Sequence, residues 1–198
     1  HEEISLLYYS KDMNERAKKI LEFWFIKSSI KDWFEKNDNF DKKIRDLFFE
    51  DYNQAINNEY DDWQDNPNEC VALVILLDQF SRNLFRNSKK AFHQDYKTRL
   101  IVNEAVDRGY LEELDLDKIH FLLLPLIHSE DISDHIFGHQ LIDTYLKDHA
   151  EYKKIKKAWD DHTVAIKKFG RYPHRNNILN RESSMEEKEF LQQPDSSW

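Results

Sequence analysis

Apolar residues recur at helical spacing along most of the chain, and this periodicity predicts an all-α fold. We predict a first helix over roughly 13–27, with an apolar stripe of Ala17, Ile20, Leu21, Trp24 and Phe25. A second helix opens at Asn37 or Asp38, and its stripe comprises Phe40, Ile44, Leu47, Phe48 and Ala55. No segment shows the strict alternation of apolar and polar residues that indicates a half-buried strand.

Residues that start or stop helices divide the rest of the chain. Asn66, Pro67 and Glu69 have the types favoured at the N-cap and at the first and third positions of a helix, which we extend to Arg86. Further helices are predicted to begin at Lys89, Asp117, Ser129, Glu151 and Ser183 or Ser184, and two of them end at Gly109 and Gly170. The pattern therefore predicts about eight helices.

No stretch rich in Gly, Ser or Pro divides the 198 residues before the tail, and no internal repeat is evident. We predict one helical domain over 1–198, with 193–198 as a flexible tail. Apolar residues make up 40% of the chain, which is enough to fill the core of such a domain.

Charge narrows the expected partners. The chain has 29 basic and 38 acidic residues, a net charge of −9, which makes nucleic acid and anionic membrane poor partners. No apolar run reaches the ~20 residues of a membrane span, and no leader sequence is evident. The lone Cys70 lies in an apolar run, which suits a buried thiol in a reducing compartment. We expect a cytoplasmic protein, and without a glycine-rich phosphate loop we expect no cofactor.

Three segments place polar residues where a buried helix is predicted to end. The apolar stretch "VALVILL" is followed by Asp78, Gln79, Arg82 and Arg86, which share a sector of about 100° on a helical wheel. The second segment is "FLLLPLIHSED", in which Pro125 is expected to kink or end the helix. It supplies His128, Ser129, Glu130 and Asp131. The third, "FGRYPHRN", supplies Arg171, His174, Arg175 and Asn176 around a turn at Pro173 whose amide groups could receive an anion.

These segments also carry a resemblance to a known family. "LLDQFSRNLFR", "LPLIHSEDISD" and "KKFGRYPHRNNILNR" resemble the signature segments of the bacterial domain of unknown function 924, and "LEFWF" fits its N-terminal pattern. The resemblance covers roughly 17–192. It implies an all-α fold grouped with tetratricopeptide-like helical arrays, and it implies no activity. The chain departs from the family pattern at Ser81, where Pro is usual, and at His135, where Gln is usual.

We predict that the three segments meet in one crevice that binds a small anion or an acidic peptide end. Their count is four arginines against Asp78, Glu130 and Asp131, and an excess of guanidinium favours an anionic ligand. The excess disappears if Asp134 also turns inward. A structural alternative explains the same residues, because Asp78 can pair with Arg82, and Arg171 or Arg175 can reach Glu130 or Asp131.

Three other functions remain open. An enzyme would use His128 or His174 as a general base, with Glu130 or Asp131 orienting the ring. Ser129 beside His128 does not form a catalytic triad pattern, because neighbours in sequence rarely face each other. A metal site at Asp131, His135 and His139 has helical spacing but no fourth ligand, so we expect no metal. A protein–protein adaptor would require an exposed apolar patch.

Overall fold

The computed structural model describes residues 12–198, and the part it describes is helical without a strand. All eight predicted helices are present, and a short additional one, α2, follows the first. The α-helices are α1 (Glu15–Leu21), α2 (Ile30–Phe34), α3 (Asp38–Ile56), α4 (Pro67–Val74), α5 (Ser81–Leu84), α6 (Asp95–Asp107), α7 (Leu116–His128), α8 (Ile132–Tyr145), α9 (Tyr152–Phe169) and α10 (Met185–Phe190).

Helix ends follow the signals in the sequence. The side chain of Asn66 caps α4 by accepting a hydrogen bond from the amide of Glu69, at 3.1 Å, and Pro67 is the first helical residue. Ser184 and Glu187 form a reciprocal capping box at the start of α10. Gly109 and Gly170 follow α6 and α9 in the left-handed conformation, which glycine adopts without steric penalty.

Two helices contain a π-helical segment, a feature that periodicity does not predict. α1 continues as a π-helix over Glu22–Lys27, and the π-helix Ile75–Phe80 joins α4 to α5. The combined rod from Pro67 to Leu84 matches the predicted helix, but it ends before Arg86. Its C-cap, Phe85, leaves the helical conformation with φ −129° and ψ 43°.

Other boundaries shift by a few residues. The helix predicted from Lys89 starts as a short 3-10 turn, Lys89–Phe92, and becomes α6 only at Asp95. α7 continues for three residues beyond Pro125 and ends at His128. The helix predicted from Ser129 begins at Ile132, because Asp131 is the residue whose side chain caps it.

The rod of α4, the π-helix and α5 lies at the centre of the core. Residues 70–78 are all buried, and so are the apolar residues of α7 that pack beside them. Cys70 belongs to this core, and burial raises the pKa of its thiol to about 12. Leu47, which the pattern placed on the buried stripe of α3, is instead half exposed.

The C-terminal segment packs on the outer end of α9. Tyr172 and Phe190 form a small apolar cluster with Ala165 and Ile166. The tail expected to be flexible also makes contacts, since Trp198 stacks on His162 with ring centroids 4.0 Å apart. This packing brings the turn after Gly170 back to the end of α7.

Within residues 12–198, no helix combines the length and apolar character that crossing a membrane requires. Residues 1–11 lie outside the described part, so the prediction of a single domain over 1–198 stays a prediction. The tetratricopeptide-like arrangement of the helices likewise stays a prediction.

Candidate functional site

A pocket of about 260 Å³ opens where the end of α7, the start of α6 and the C-terminal turn meet. Two of the three predicted segments contribute lining residues, the one with His128 and Glu130 and the one with Arg175. The segment with Asp78 and Arg82 lies behind this wall. The pocket is lined by Phe92, Asp95, Tyr96, Arg99, His128, Glu130, Arg175 and Leu179.

Arg175 is buried in the wall of this pocket without a carboxylate partner among the described residues. Its side chain lies between two aromatic rings, with the guanidinium carbon 4.4 Å from the centre of Phe92 and 4.8 Å from that of Tyr172. Nη2 donates to the backbone carbonyl of His128 at 2.8 Å. Nε is buried without a hydrogen-bond partner, and Nη1 makes no hydrogen bond to a described residue. Two of the three guanidinium nitrogens therefore make no hydrogen bond to a described residue.

Desolvation also marks Arg175 as unusual. Burial, and then the charge of Arg82, lower the pKa of the Arg175 guanidinium to about 10. The group still carries its charge at neutral pH. Burying a charge without an ion-pair partner lowers the free energy of unfolding, so the position of Arg175 costs the fold stability.

His128 is the second polar group on the pocket wall. Its Nδ1 lies 2.8 Å from a carboxylate oxygen of Asp78, which is 1% exposed. Burial alone would raise the pKa of Asp78, but the charges of His128 and Arg82 hold it below the usual value. The ionised carboxylate can only accept, so Nδ1 of His128 carries the proton of this hydrogen bond. No described residue hydrogen-bonds Nε2.

Asp78, not Glu130 or Asp131, is therefore the carboxylate that orients His128. The expected partners are occupied elsewhere. Glu130 accepts two hydrogen bonds from Arg181, at 2.8 and 3.1 Å, and one from the amide of Tyr172 at 2.6 Å. Asp131 is exposed and caps α8.

The turn at Pro173 does receive an anion, but the anion is the protein's own Glu130. Burial opposes ionisation of Glu130, yet the hydrogen bonds from Arg181 and from the Tyr172 amide lower its pKa below the usual value. The carboxylate thereby fastens the C-terminal turn to the end of α7. Glu130 occupies the amide of Tyr172, and the amides of Arg175 and Asn176 donate to carbonyl groups within the turn.

Arg82, unlike Arg175, forms ion pairs with carboxylates. Its two terminal nitrogens bind Asp95 in a bidentate pair at 2.7 and 2.9 Å, and Nη1 lies 3.4 Å from Asp78. Arg82 lies behind Phe92 and is not among the lining residues. Gln79 beside it donates to Asp78 at 3.2 Å. These residues hold the pocket wall in place.

Two predicted ligand-binding arginines lie outside the pocket. Arg86 follows the end of the rod, so it leaves the sector of Asp78 and Arg82 and pairs with Asp41 of α3. Arg171 forms a bidentate pair with Glu187 of α10, at 2.7 and 3.0 Å, instead of reaching Glu130 or Asp131. Asn176 is buried and donates to the same Glu187. Arg171 and Asn176 therefore stabilise the C-terminal segment, and Arg86 contacts α3.

His174 is a poor candidate for a general base. It does not line the pocket, and its Nδ1 is buried without a hydrogen-bond partner. Burial, and then the charge of Arg175, lower the pKa of His174 to about 4. The ring is accordingly neutral, and no described carboxylate orients it.

The possible metal ligands do not converge. His135 is fully buried, where it contacts the carbonyl of Ser129 and the hydroxyl of Thr163. His139 lies beside the same hydroxyl and beside Lys156, whereas Asp131 is at the surface. Within the described residues, no group of three or more possible ligands is arranged to hold a metal ion.

The charges around the pocket balance once the structure is known. Asp134 does turn inward, accepting a hydrogen bond from Ser129 at 2.6 Å and lying 3.3 Å from Arg99. The surrounding acids are Asp78, Asp95, Glu130 and Asp134, and the surrounding arginines are Arg82, Arg99, Arg175 and Arg181. The predicted excess of cationic groups is therefore wrong. Of these four arginines, Arg175 is the one that forms no ion pair with a described acid.

Sequence reasoning missed several residues of the site. Asp95, Tyr96 and Arg99 come from the first turns of α6, which showed no unusual pattern. A spacing of four places Asp95 and Arg99 on one face of the helix. That spacing was the available signal, but only the three-dimensional packing shows that this face meets α7.

Comparison with known proteins places the chain in a family and a fold. The sequence model of a family described as "Bacterial protein of unknown function" (DUF924) matches residues 20–195. The solved structure of a protein of unknown function from Agrobacterium tumefaciens is similar, with 33% sequence identity and a TM-score of 0.81. The alignment covers 89% of this chain and 96% of that one. No curated protein is significantly similar to the chain.

Proposed function

The chain belongs to the bacterial family DUF924, whose function is unknown, and we propose that this member binds a small anionic molecule in the pocket beside Arg175. One observation carries the proposal. Arg175 is a buried guanidinium that has unused donors and no carboxylate partner among the described residues. Planar guanidinium donors match the oxygen atoms of carboxylate and phosphate groups, so such an anion can accept from the donors that no described residue uses.

The size of the pocket limits the ligand. Its volume of about 260 Å³ lies below the ~300–1,000 Å³ of sites that enclose drug-sized molecules. Phe92, Tyr96 and Leu179 add apolar surface to the polar groups of the lining. This combination suits a small metabolite with one anionic end and a short apolar or neutral remainder.

A thermal-shift titration tests the proposal, because a ligand that binds the native state raises the midpoint of unfolding. The probes are inorganic phosphate, sulfate, acetate and a panel of phosphorylated and carboxylated metabolites. We expect stabilisation of the wild type by at least one probe and no stabilisation of Arg175→Met. Arg86→Met is the matched control, because it removes an arginine that lies outside the pocket, and we expect it to respond as the wild type does.

A second variant keeps the test informative if Arg175→Met fails to fold. Leu179→Trp fills the pocket from its half-buried rim and leaves Arg175 and its contacts unchanged. Binding that survives in both variants would show that the anion binds elsewhere on the protein. Absence of any response in the wild type to the whole panel would also contradict the proposal.

An enzyme is the second candidate function, and the pairing of His128 with Asp78 is the observation that favours it. A histidine held by a buried carboxylate at Nδ1, with Nε2 free on a pocket wall, is the arrangement of a general base. For a substrate found among the stabilising ligands, His128→Gln should abolish turnover and leave binding measurable. Unchanged turnover in this variant would remove His128 from the reaction.

A protein partner remains the third possibility. Ile30 and Phe34 lie one turn apart on α2, and more than half of each side chain is exposed. Exposed apolar residues of this kind can take part in a protein interface. Nothing else at this surface identifies an occupant, so the adaptor hypothesis stays a prediction, as does the expectation that nucleic acid is not a partner.

A further inference from the structure

Two carboxylates share the pocket wall with Arg175. Asp95 and Glu130 are both lining residues, and neither forms an ion pair with Arg175. The charges of the acids and arginines around the pocket sum to zero with Arg175 included. A purely anionic ligand would therefore bring its charge near these carboxylates and leave the site with a net negative charge. A ligand that has one anionic and one cationic group avoids both costs.

Glu130 has an acceptor site that no described residue uses. Its Oε2 accepts from the amide of Tyr172 and from Arg181. Its Oε1 accepts a single hydrogen bond from a described residue, which Arg181 donates at 2.8 Å. A carboxylate oxygen offers about two acceptor sites, so one site of Oε1 remains open. The side chain of Glu130 is 26% exposed and that of Asp95 is 12% exposed, so Glu130 is the more accessible of the two carboxylates.

Arg175 and Glu130 are neighbours that do not contact each other through their charged atoms. The Tyr172 ring lies 4.8 Å from the guanidinium carbon of Arg175, and the amide of the same tyrosine donates to Glu130. Burial lowers the pKa of Arg175, and the charge of Glu130 is one of those that oppose this decrease. Burial opposes ionisation of Glu130, and the charge of Arg175 is one of the factors that nonetheless lower its pKa. The two groups interact through space, and each keeps hydrogen-bonding capacity for a ligand.

We infer that the ligand of this pocket is an α-amino acid zwitterion, whose carboxylate binds Arg175 and whose ammonium group donates to Glu130 Oε1. The inference rests on the proposed function, because the anionic end still binds Arg175, and it adds a cationic group to the ligand. An ammonium group is a donor only, so it matches the open acceptor site. Both groups of an α-amino acid are attached to one carbon atom, which suits a pocket of about 260 Å³. Phe92, Tyr96 and Leu179 offer apolar surface to an aliphatic side chain.

Matched pairs of ligands test the inference on the wild-type protein. Glycine, alanine, valine and leucine are each titrated by calorimetry at neutral pH beside the carboxylate that lacks only the amino group, which is acetate, propionate, isovalerate and isocaproate respectively. We expect at least one amino acid to bind about tenfold to a hundredfold more tightly than its carboxylate, the range for one hydrogen bond to a charged group. Isoamylamine, which is leucine without its carboxylate, should not bind, because Arg175 repels its charge.

Glu130→Gln tests whether this carboxylate causes the preference. Glutamine has a similar size but lacks the negative charge that attracts the ammonium group. We expect the affinity for the preferred amino acid to fall to that for its carboxylate, whose own affinity should stay the same or rise. Asp41→Asn is the matched control, because Asp41 forms a comparable bidentate pair with Arg86 outside the pocket. This control should leave the preference unchanged.

The possible outcomes distinguish this inference from the proposed function. If carboxylates bind in an Arg175-dependent manner and no amino acid binds more tightly than its matched carboxylate, the zwitterion inference fails and anion binding survives. This comparison uses the wild type, so it decides even if Glu130→Gln does not fold. A preference that persists in folded Glu130→Gln, or in Arg175→Met, also overturns the inference. If amino acids, carboxylates and phosphorylated probes all fail to bind the wild type, both the inference and the proposed function fail.

Discussion

Arg175 is held by aromatic rings and a carbonyl group where a buried arginine would normally meet a carboxylate. Folding therefore desolvates this charge without a full compensating interaction. The neighbouring Arg82 differs, because Asp95 and Asp78 neutralise it. The two arginines should respond in opposite ways to the same substitution.

We predict that Arg175→Met leaves the free energy of unfolding unchanged or raises it. The substitution removes a desolvated charge and retains an apolar side chain between Phe92 and Tyr172. Arg82→Met should instead lower the unfolding free energy by about 3 kcal/mol, because it leaves partly buried Asp95 without its bidentate partner and removes one of the two cations beside buried Asp78. Urea denaturation of the two variants measures the difference. A loss in Arg175→Met as large as that in Arg82→Met would assign Arg175 to the scaffold.

At the scale of the element, Gly138 permits the close packing of α8 against its neighbours. A Cβ atom at this position would lie 2.7 Å from the Trp159 ring of α9 and 3.2 Å from Cβ of Leu126 on α7. Trp159 is 1% exposed, so other side chains surround its ring. The contact explains a glycine inside a helix, where alanine is favoured by about 1 kcal/mol.

Gly138→Ala should therefore destabilise the protein by about 1–3 kcal/mol despite its better helix propensity. A lowered midpoint of thermal unfolding measures the effect. Trp159→Phe shortens the opposing ring. In this background, Gly138→Ala should cost less stability than it does in the wild type. A gain in stability from Gly138→Ala by itself would contradict the close approach.

The helices could be predicted from the sequence because their caps and apolar stripes are local signals. Asn66, Gly109, Gly170 and Ser184 act at or next to the helix ends to which the pattern assigned them. The end of the rod was less predictable, because nothing in "SRNLFR" requires the chain to leave the helix at Phe85. That departure moves Arg86 to Asp41 and out of the pocket.

The site was only partly predictable for a related reason. His128, Glu130 and Arg175 were found because they follow apolar stretches or lie in a turn. Their partners depend on contacts between residues about 50 apart, such as Asp78 with His128 and Glu130 with Arg181. Several carboxylates were available to each cation, so residue spacing could not select among them.

At the scale of the whole molecule, buried histidines link stability to pH. Burial lowers the pKa of His120 and His162 to about 3 and that of His174 to about 4, compared with about 6.5 in the unfolded chain. Between these values the unfolded state binds more protons than the folded state. The stability that these neutral rings provide is thus fully present above pH 6.5 and is lost as the pH falls towards their folded pKa values.

We predict that the free energy of unfolding falls steadily from pH 6.5 to pH 4.5, by up to about 1.4 kcal/mol per pH unit for each such histidine. Urea denaturation at a series of pH values measures the slope. His120→Phe should reduce the slope, because His120 packs among aromatic rings and makes no hydrogen bond to a described residue. A flat profile over this interval in the wild type would mean that these rings titrate normally.

Carboxylates add a second decline at lower pH. The folded pKa values of Asp78 and Glu130 are depressed, so the stability they contribute is present above about pH 4 and disappears as the pH falls through the folded values. Protonation of these two groups would release both His128 and the C-terminal turn.

The location of the anion is the most direct test of the account. Crystals soaked in arsenate, an analogue of phosphate whose arsenic scatters anomalously, would reveal every bound anion. We predict an anomalous peak in the pocket, within hydrogen-bonding distance of the Arg175 guanidinium. Peaks found only at surface lysines, with the pocket free of arsenate at saturating concentration, would contradict the assignment of Arg175 as an anion-binding residue.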